Sequence, residues 1–246
     1  MSLQLVDLSE TPVSGAPQKP ARRAHAIYMS LQERILTGDL TPESPLTEQA
    51  LAQEFGCSQG TIREALLSLR EDGLVVRQGY QGTFVTRTNN TEAIVLLRLR
   101  RDIELAAVER LIERARPGDI KDLRLLAQAY DTARQNRQIY ATSQADLALH
   151  MAMSELAGIP ILAPILRRTI LQLHRFIITR HLNDLNWLGH IDASHQAILD
   201  AIADKDRERA RHLAAQHVIS NTIQIKREIQ EKVFAPVSRE MPERVE

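Results

Sequence analysis

The chain contains one cysteine, Cys57, so no internal disulfide can form and a reducing cytoplasm is the expected setting. No apolar run approaches the roughly 20 residues needed to cross a bilayer, and the N-terminus lacks the basic start and apolar core of a secretory signal. No membrane partner is expected. Neither sign of charge is in excess: 31 Lys and Arg balance 31 Asp and Glu. Between residues 21 and 87, seven arginines (22, 23, 34, 63, 70, 77 and 87) face eight acids. Bulk attraction to phosphate therefore gives no reason to assign nucleic-acid binding, and any such function must rest on pattern and local placement. No His-Glu-x-x-His run occurs, which removes a common helix-borne sign of a zinc hydrolase.

What the chain has is globular composition, 43% hydrophobic and 25% charged, over 246 residues, enough for two compact units and a linker. Residues 1–20 carry Pro12, Pro17 and Pro20 among Ser, Gly and Gln; they bury too little apolar surface to offset ordering and read as a disordered arm. From Arg22 the apolar residues Ile27, Leu31 and Ile35 recur at helical spacing up to Gly38. Residues 39–46, with Pro42 and Pro45, read as a connecting turn. Thr47 then caps a short helix through Leu51, Ala52 and Phe55, and Gly56 ends it. Ser58 caps a third helix carrying Ile62, Ala65, Leu66 and Leu69, closed by Asp72-Gly73. Residues 74–77 and 83–86 read as two short strands around Gly79 and Gly82, a hairpin wing.

After residue 88 the period is helical to about residue 233, with breaks at Pro117-Gly118, Gly158 to Pro160 and Asn183 to Gly189, and residues 234–246 read as a flexible tail. The fold class is mainly α: a winged helix-turn-helix of three helices plus a β-hairpin wing over 21–88, then an all-α antiparallel bundle of about six helices over 89–233.

Two short helices separated by Gly56-Cys57-Ser58 present the start of the second one outward, as a helix entering the major groove requires. Arg63 has the fork for a guanine edge or a phosphate, and Gln59 the amide chemistry suited to adenine. Ser58 and Thr61 can reach phosphate oxygens, Gly60 is short enough for close approach, and Gly79 lets the wing backbone approach DNA. In the bundle, Asp146 and His150 lie four apart and share a helix face. His195 falls in a stripe with Ile191, Ile198 and Ile202, and His217 in one with Ala210, Leu213 and Ser220, so both point inward. Three neutral imidazoles and a carboxylate suit zinc or a similar first-row ion; singly, an inward His is more often a satisfied core group and an Asp-x-x-x-His pair often arises by chance.

The run from Leu46-Thr-Glu-Gln-Ala-Leu-Ala through Phe55-Gly-Cys-Ser-Gln-Gly-Thr-Ile-Arg-Glu-Ala-Leu, with Asp72-Gly-Leu-Val and Gly82-Thr-Phe-Val, closely resembles the DNA-binding domain of the GntR family. Residues 91–225 resemble the FCD effector domain of its FadR branch: Arg101-Asp-Ile-Glu104 matches the opening signature, and His195-x-x-Ile-x-x-Ala-Ile with Asp206, Ala210 and His217 the closing one. The resemblance implies a cytoplasmic, homodimeric transcription repressor without enzymatic activity, bound to a pseudo-palindromic double-stranded operator and tuned by a small carboxylic-acid effector. It implies that Arg63 contacts DNA, that Gln59 stands where most relatives carry arginine and Gln49 where many do, so the operator departs from the usual one. It also implies a divalent metal, zinc first and nickel or manganese as alternatives, on Asp146, His150, His195 and His217. Positions left open on that ion would take the effector, and Arg101 would pair with its carboxylate, with Arg175 and His174 as further candidates. Two alternatives stay open: a metal-dependent hydrolase or lyase, and a DNA-binding protein whose bundle only dimerises.

Overall fold

A computed structural model describes residues 20–80, 82–182 and 195–220. The expected arm, save Pro20, the break between Asn183 and Gly189, and everything after residue 220 lie outside the described residues. Helix α1 (Pro20–Leu36) begins at Pro20 and buries Ile27, Leu31 and Ile35. It leads through a turn to β1 (Pro45–Leu46) and α2 (Glu48–Glu54), whose first turn is capped by the Thr47 side chain accepting from Ala50 N. In α3 (Gln59–Glu71), the Ser58 hydroxyl accepts from Thr61 N, while Ile62, Ala65, Leu66 and Leu69 face inward. Strands β2 (Val75–Arg77) and β3 (Thr83–Val85) form the wing.

The turn expected at 39–46 is corrected at its end: Pro45 and Leu46 pair with Phe84 and Thr83, giving a three-stranded sheet in the order β1-β3-β2. Two residues are too few to show alternation, and an edge strand tolerates a proline that donates no hydrogen bond.

Asn89 and Glu92 form a reciprocal capping box that opens α4 (Asn90–Arg114). The chain continues through α5 (Pro117–Gln135), α6 (Ile139–Ala157), a short 3₁₀ turn at Pro160–Leu162, α7 (Ala163–Ile178), α8 (His195–Ala203) and α9 (Arg207–Ser220). Pro117-Gly118 are not the break expected of them. They form the first turn of α5, because a proline at the first helical position forfeits only an N–H that has no partner there. Helix α6 ends at Gly158 in the left-handed conformation (φ 71°), the usual C-terminal stop. No helix among the described residues is long and apolar enough to cross a membrane.

Two cores organise the molecule. One runs without interruption from α1 and α3 of the head into α4, α6 and α7 (Leu31, Ile62 and Leu69 with Leu97, Leu166, Ile170 and Phe176). The other fills the far end of the bundle with Val108, Leu111, Leu123, Leu149, Leu199 and Ile202. Leu147 belongs to the first and Leu149 to the second; Val218 belongs to the first and Ala214 to the second. Asp146, His150 and His217 therefore fall where the cores meet.

Candidate functional site

On the head, Gln49, Ser58, Gln59, Gly60 and Arg63 are exposed on α2, α3 and the cap before α3, and Thr61 is half-buried. The Ser58 and Thr61 hydroxyls lie 2.9 Å apart and so share one hydrogen bond. Arg63 is held by a residue that sequence reasoning passed over: its Nε and Nη2 donate to Glu48 Oε1 (3.0 Å) and Oε2 (2.6 Å). That fork, a desolvation cost notwithstanding, holds the Glu48 carboxyl below its ordinary range. It also fixes the direction of the arginine fork. At the wing, Gln78 N donates to Gly82 O (2.9 Å), and Gly79 and Gly82 take positive φ. Tyr80, between them, is fully exposed at the tip. It too was missed, although an aromatic between two turn glycines is a legible signal.

In the bundle, α6 supplies Asp146 and His150, α8 supplies His195 and α9 supplies His217, all buried, with their ligand atoms within 4.8 Å of one another. His150 Nε2 is 3.1 Å from His217 Nε2 and 3.3 Å from His195 Nε2. Asp146 Oδ1 is 3.2, 3.5 and 4.0 Å from the Nε2 atoms of His195, His150 and His217. Four ligands at about 2.0–2.1 Å from one ion are separated by roughly 3–4 Å, depending on geometry. Despite three facing imidazoles, Asp146 Oδ1 has no hydrogen-bond partner among the described residues. A buried carboxylate oxygen without a hydrogen bond is costly, and a shared ion would satisfy it.

The protonation states agree. Burial pushes His195 down against the pull of Asp146, and burial with the charges of His195 and His150 pushes His217 well down. Neutral imidazole is the form that ligates. Burial pulls Asp146 up, yet the charges of His150 and Arg100 and the hydrogen bond from His174 hold it well below the usual carboxylate range. The cluster thus offers one carboxylate and three imidazoles, those of His195 and His217 favoured in the neutral form, and it could hold a metal ion.

Around it stands a supporting set found only in three dimensions. His174 on α7 donates from Nε2 to Asp146 Oδ2 (2.9 Å), and its Nδ1 lies 2.7 Å from Ser143 Oγ. Arg100 donates to Glu104 Oε1 (2.6 Å) and Asp146 Oδ2 (3.3 Å), and Glu104 Oε1 lies 3.3 Å from His150 Nδ1. Such partners fix ring orientation and ligand basicity. Arg100 is thus brought to the cluster. Arg101 is one position further round α4, where its guanidinium meets Asp102 (2.9 Å). Arg175, on α7, has Arg180, Arg87 and Glu43 as its electrostatic neighbours.

Comparison with known proteins decides the family. Residues 23–85 match the model "Bacterial regulatory proteins, gntR family", and residues 95–220 match that of the FCD domain. The chain belongs to the GntR family. An uncharacterised helix-turn-helix regulator of Streptomyces ambofaciens is 30% identical over 135 residues, 54% of this chain and 55% of that one. The regulator McbR of Escherichia coli is 24% identical over 193 residues, 78% of this chain and 87% of its own. The repressor NagR of Bacillus subtilis is 36% identical over 78 residues, 31% of this chain and 32% of its own. The solved structure of McbR superposes with a TM-score of 0.69 at 21% identity, covering 85% of this chain and 98% of that one, and shows the shared fold. This GntR-family regulator therefore has a DNA-binding winged helix-turn-helix and a helical FCD domain, and its named relatives are transcription regulators.

Proposed function

We propose that this GntR-family chain is a homodimeric, metal-holding repressor whose affinity for a pseudo-palindromic operator is set by a small organic acid bound beside the Asp146, His150, His195 and His217 cluster. The observation that carries the reading is that the helices bearing the cluster also grip the DNA-reading head. On α6, Tyr140 and Gln144 precede Asp146 by two turns or less, and both donate to Gln32 Oε1 of α1, at 3.0 and 2.9 Å. On α7, Arg167 lies two turns before His174; it donates to Asp72 Oδ1 (2.8 Å) and Tyr28 Oη (2.7 Å). Asp72 is the C-cap of α3. Tyr28 O–H in turn donates to Asp72, and Gln32 Nε2 to Tyr28. A displacement of α6 or α7 at the cluster is thereby passed to α1 and to the end of the recognition helix.

A divalent ion held there would supply Lewis-acidic positions for an acid's oxygen atoms. Arg101 is the partner proposed for the acid's carboxylate. Arg100 and His174 hold Asp146 in place, and Glu104 orients His150. On the head, Arg63, steered by Glu48, reads a base edge or phosphate, and Gln49, Ser58, Gln59, Gly60, Thr61, Gly79 and Tyr80 complete the facing surface. The repressor sense is supported by the printed role of NagR, to which 78 residues of this chain are similar.

Thermal shifts of the metal-loaded protein against a panel of small carboxylic acids, followed by operator binding with each hit, test the proposal. At least one acid should stabilise the protein and weaken operator binding, and Arg101→Ala should reduce both effects. A panel that neither stabilises the protein nor alters operator affinity would leave the bundle as a dimerisation module only.

A further inference from the structure

We propose that Arg175, with Arg180 and Arg87, forms a second ligand site where the head meets the bundle, and that it takes the phosphate or carboxylate group of a small anion. Arg175 is 7% exposed, and its Nε is buried with no hydrogen-bond partner among the described residues. The contrast with the other inward arginines is sharp. Arg100 is matched by Glu104 and Asp146, and Arg167 by Asp72. A buried guanidinium nitrogen left without a hydrogen bond is costly to retain.

The surroundings add positive charge. Arg180 lies two residues beyond the end of α7, with its guanidinium 3.5 Å from the centre of the Phe176 ring, and it donates to Phe176 O (2.9 Å) and Asn90 Oδ1 (3.5 Å). Those bonds hold it at the N-terminus of α4, whose aligned peptide dipoles favour an anion. Arg87, three residues before Asn90 in the link from the wing, is paired with Glu43. The charged groups facing Arg175 are thus Arg180 from just beyond α7, Arg87 from the link and Glu43 from the approach to β1. Burial and the two arginines together lower its pKa to about 10.

A planar fork among cations fits an oxyanion held through two oxygens. Because Arg175 is so nearly enclosed, the site would admit a small anion and not a duplex backbone. An anion held there would join the wing link to α7 and so bias the head independently of the Asp146 cluster.

The test is calorimetric titration of the full metal-loaded chain with inorganic phosphate and with acetate, alongside thermal midpoints and a repeat on chelator-treated protein. One anion should bind per chain, and 10 mM phosphate should raise the midpoint by about 2–4 °C. Arg175→Gln should abolish binding. Arg87→Gln and Arg180→Gln should weaken it about three- to tenfold, and Glu43→Gln should tighten it by a similar factor. Chelation should leave it unchanged. If Arg175→Gln does not fold, the opposite signs of Arg87→Gln and Glu43→Gln decide. Failure of both anions to bind, binding indifferent to these charges, or competition by a non-operator duplex would overturn the proposal.

Discussion

Cutting the Arg167–Asp72 contact should loosen the head from the bundle while leaving both folded. The pair has one strong charge-assisted bond (2.8 Å) and one weaker (3.3 Å), with Arg167 35% and Asp72 9% exposed at the side chain. Removing one partner of a fully buried pair costs about 3–5 kcal/mol. Exposed pairs are worth about 0–1 kcal/mol. With Arg167 a third exposed and Asp72 nearly buried, about 1–2 kcal/mol of coupling is expected. Arg167→Gln and Asp72→Asn, singly and together, form the cycle, read by urea denaturation. Each single change should lower the thermal midpoint by about 2–8 °C. The functional readout is the ratio of operator affinities with and without chelator: whatever factor the wild type shows should fall toward one in Arg167→Gln, because linkage needs a shared two-state element. Stability changes additive to within about 0.5 kcal/mol, together with an unaltered ratio, would refute this route.

Three further outcomes follow. Arg63→Ala should weaken operator binding by about 1–3 kcal/mol, measured at fixed salt, with little change in the melting midpoint, since the side chain is 61% exposed; unchanged affinity would remove Arg63 from the reading surface. His174→Ala should keep one metal per chain but lower metal affinity about 10- to 100-fold by competition titration, as loss of a group that orients a ligand does; an unchanged affinity would make His174 a packing residue. Gly73→Ala should cost about 1–3 kcal/mol in urea unfolding, because Gly73 has φ 72° and a Cβ there would meet the ends of Gln172 and Arg168 on α7; a neutral substitution would mean that the head does not sit this closely on α7.

Much of the head was legible because its signals are local. Thr47 and Ser58 announce helix starts through bonds three residues away, and Asp72-Gly73 announces a stop. Asp146 and His150 were legible for the same reason, one turn apart on one face. What escaped depends on contacts across the fold. Strand β1 exists only because β3 arrives beside it, and Arg167 finds Asp72 across 95 residues. Arg100 was legible in principle: Leu97, Arg100, Glu104, Ala107 and Leu111 fall on one buried helical stripe. His174 carries no local sign of its partner, since Asp146 reaches it from another helix.

Elemental analysis of wild type purified without a nickel column, with His150→Ala and His195→Ala beside it, bears most directly on the metal-centred regulation proposed for this family member. One divalent ion per wild-type chain is expected, lost in both variants. At 100-fold excess over Kd that ion should add about 2.7 kcal/mol of stability, which a chelator removes from wild type alone. A well-folded wild type that carries no metal and melts identically with and without chelator would contradict it.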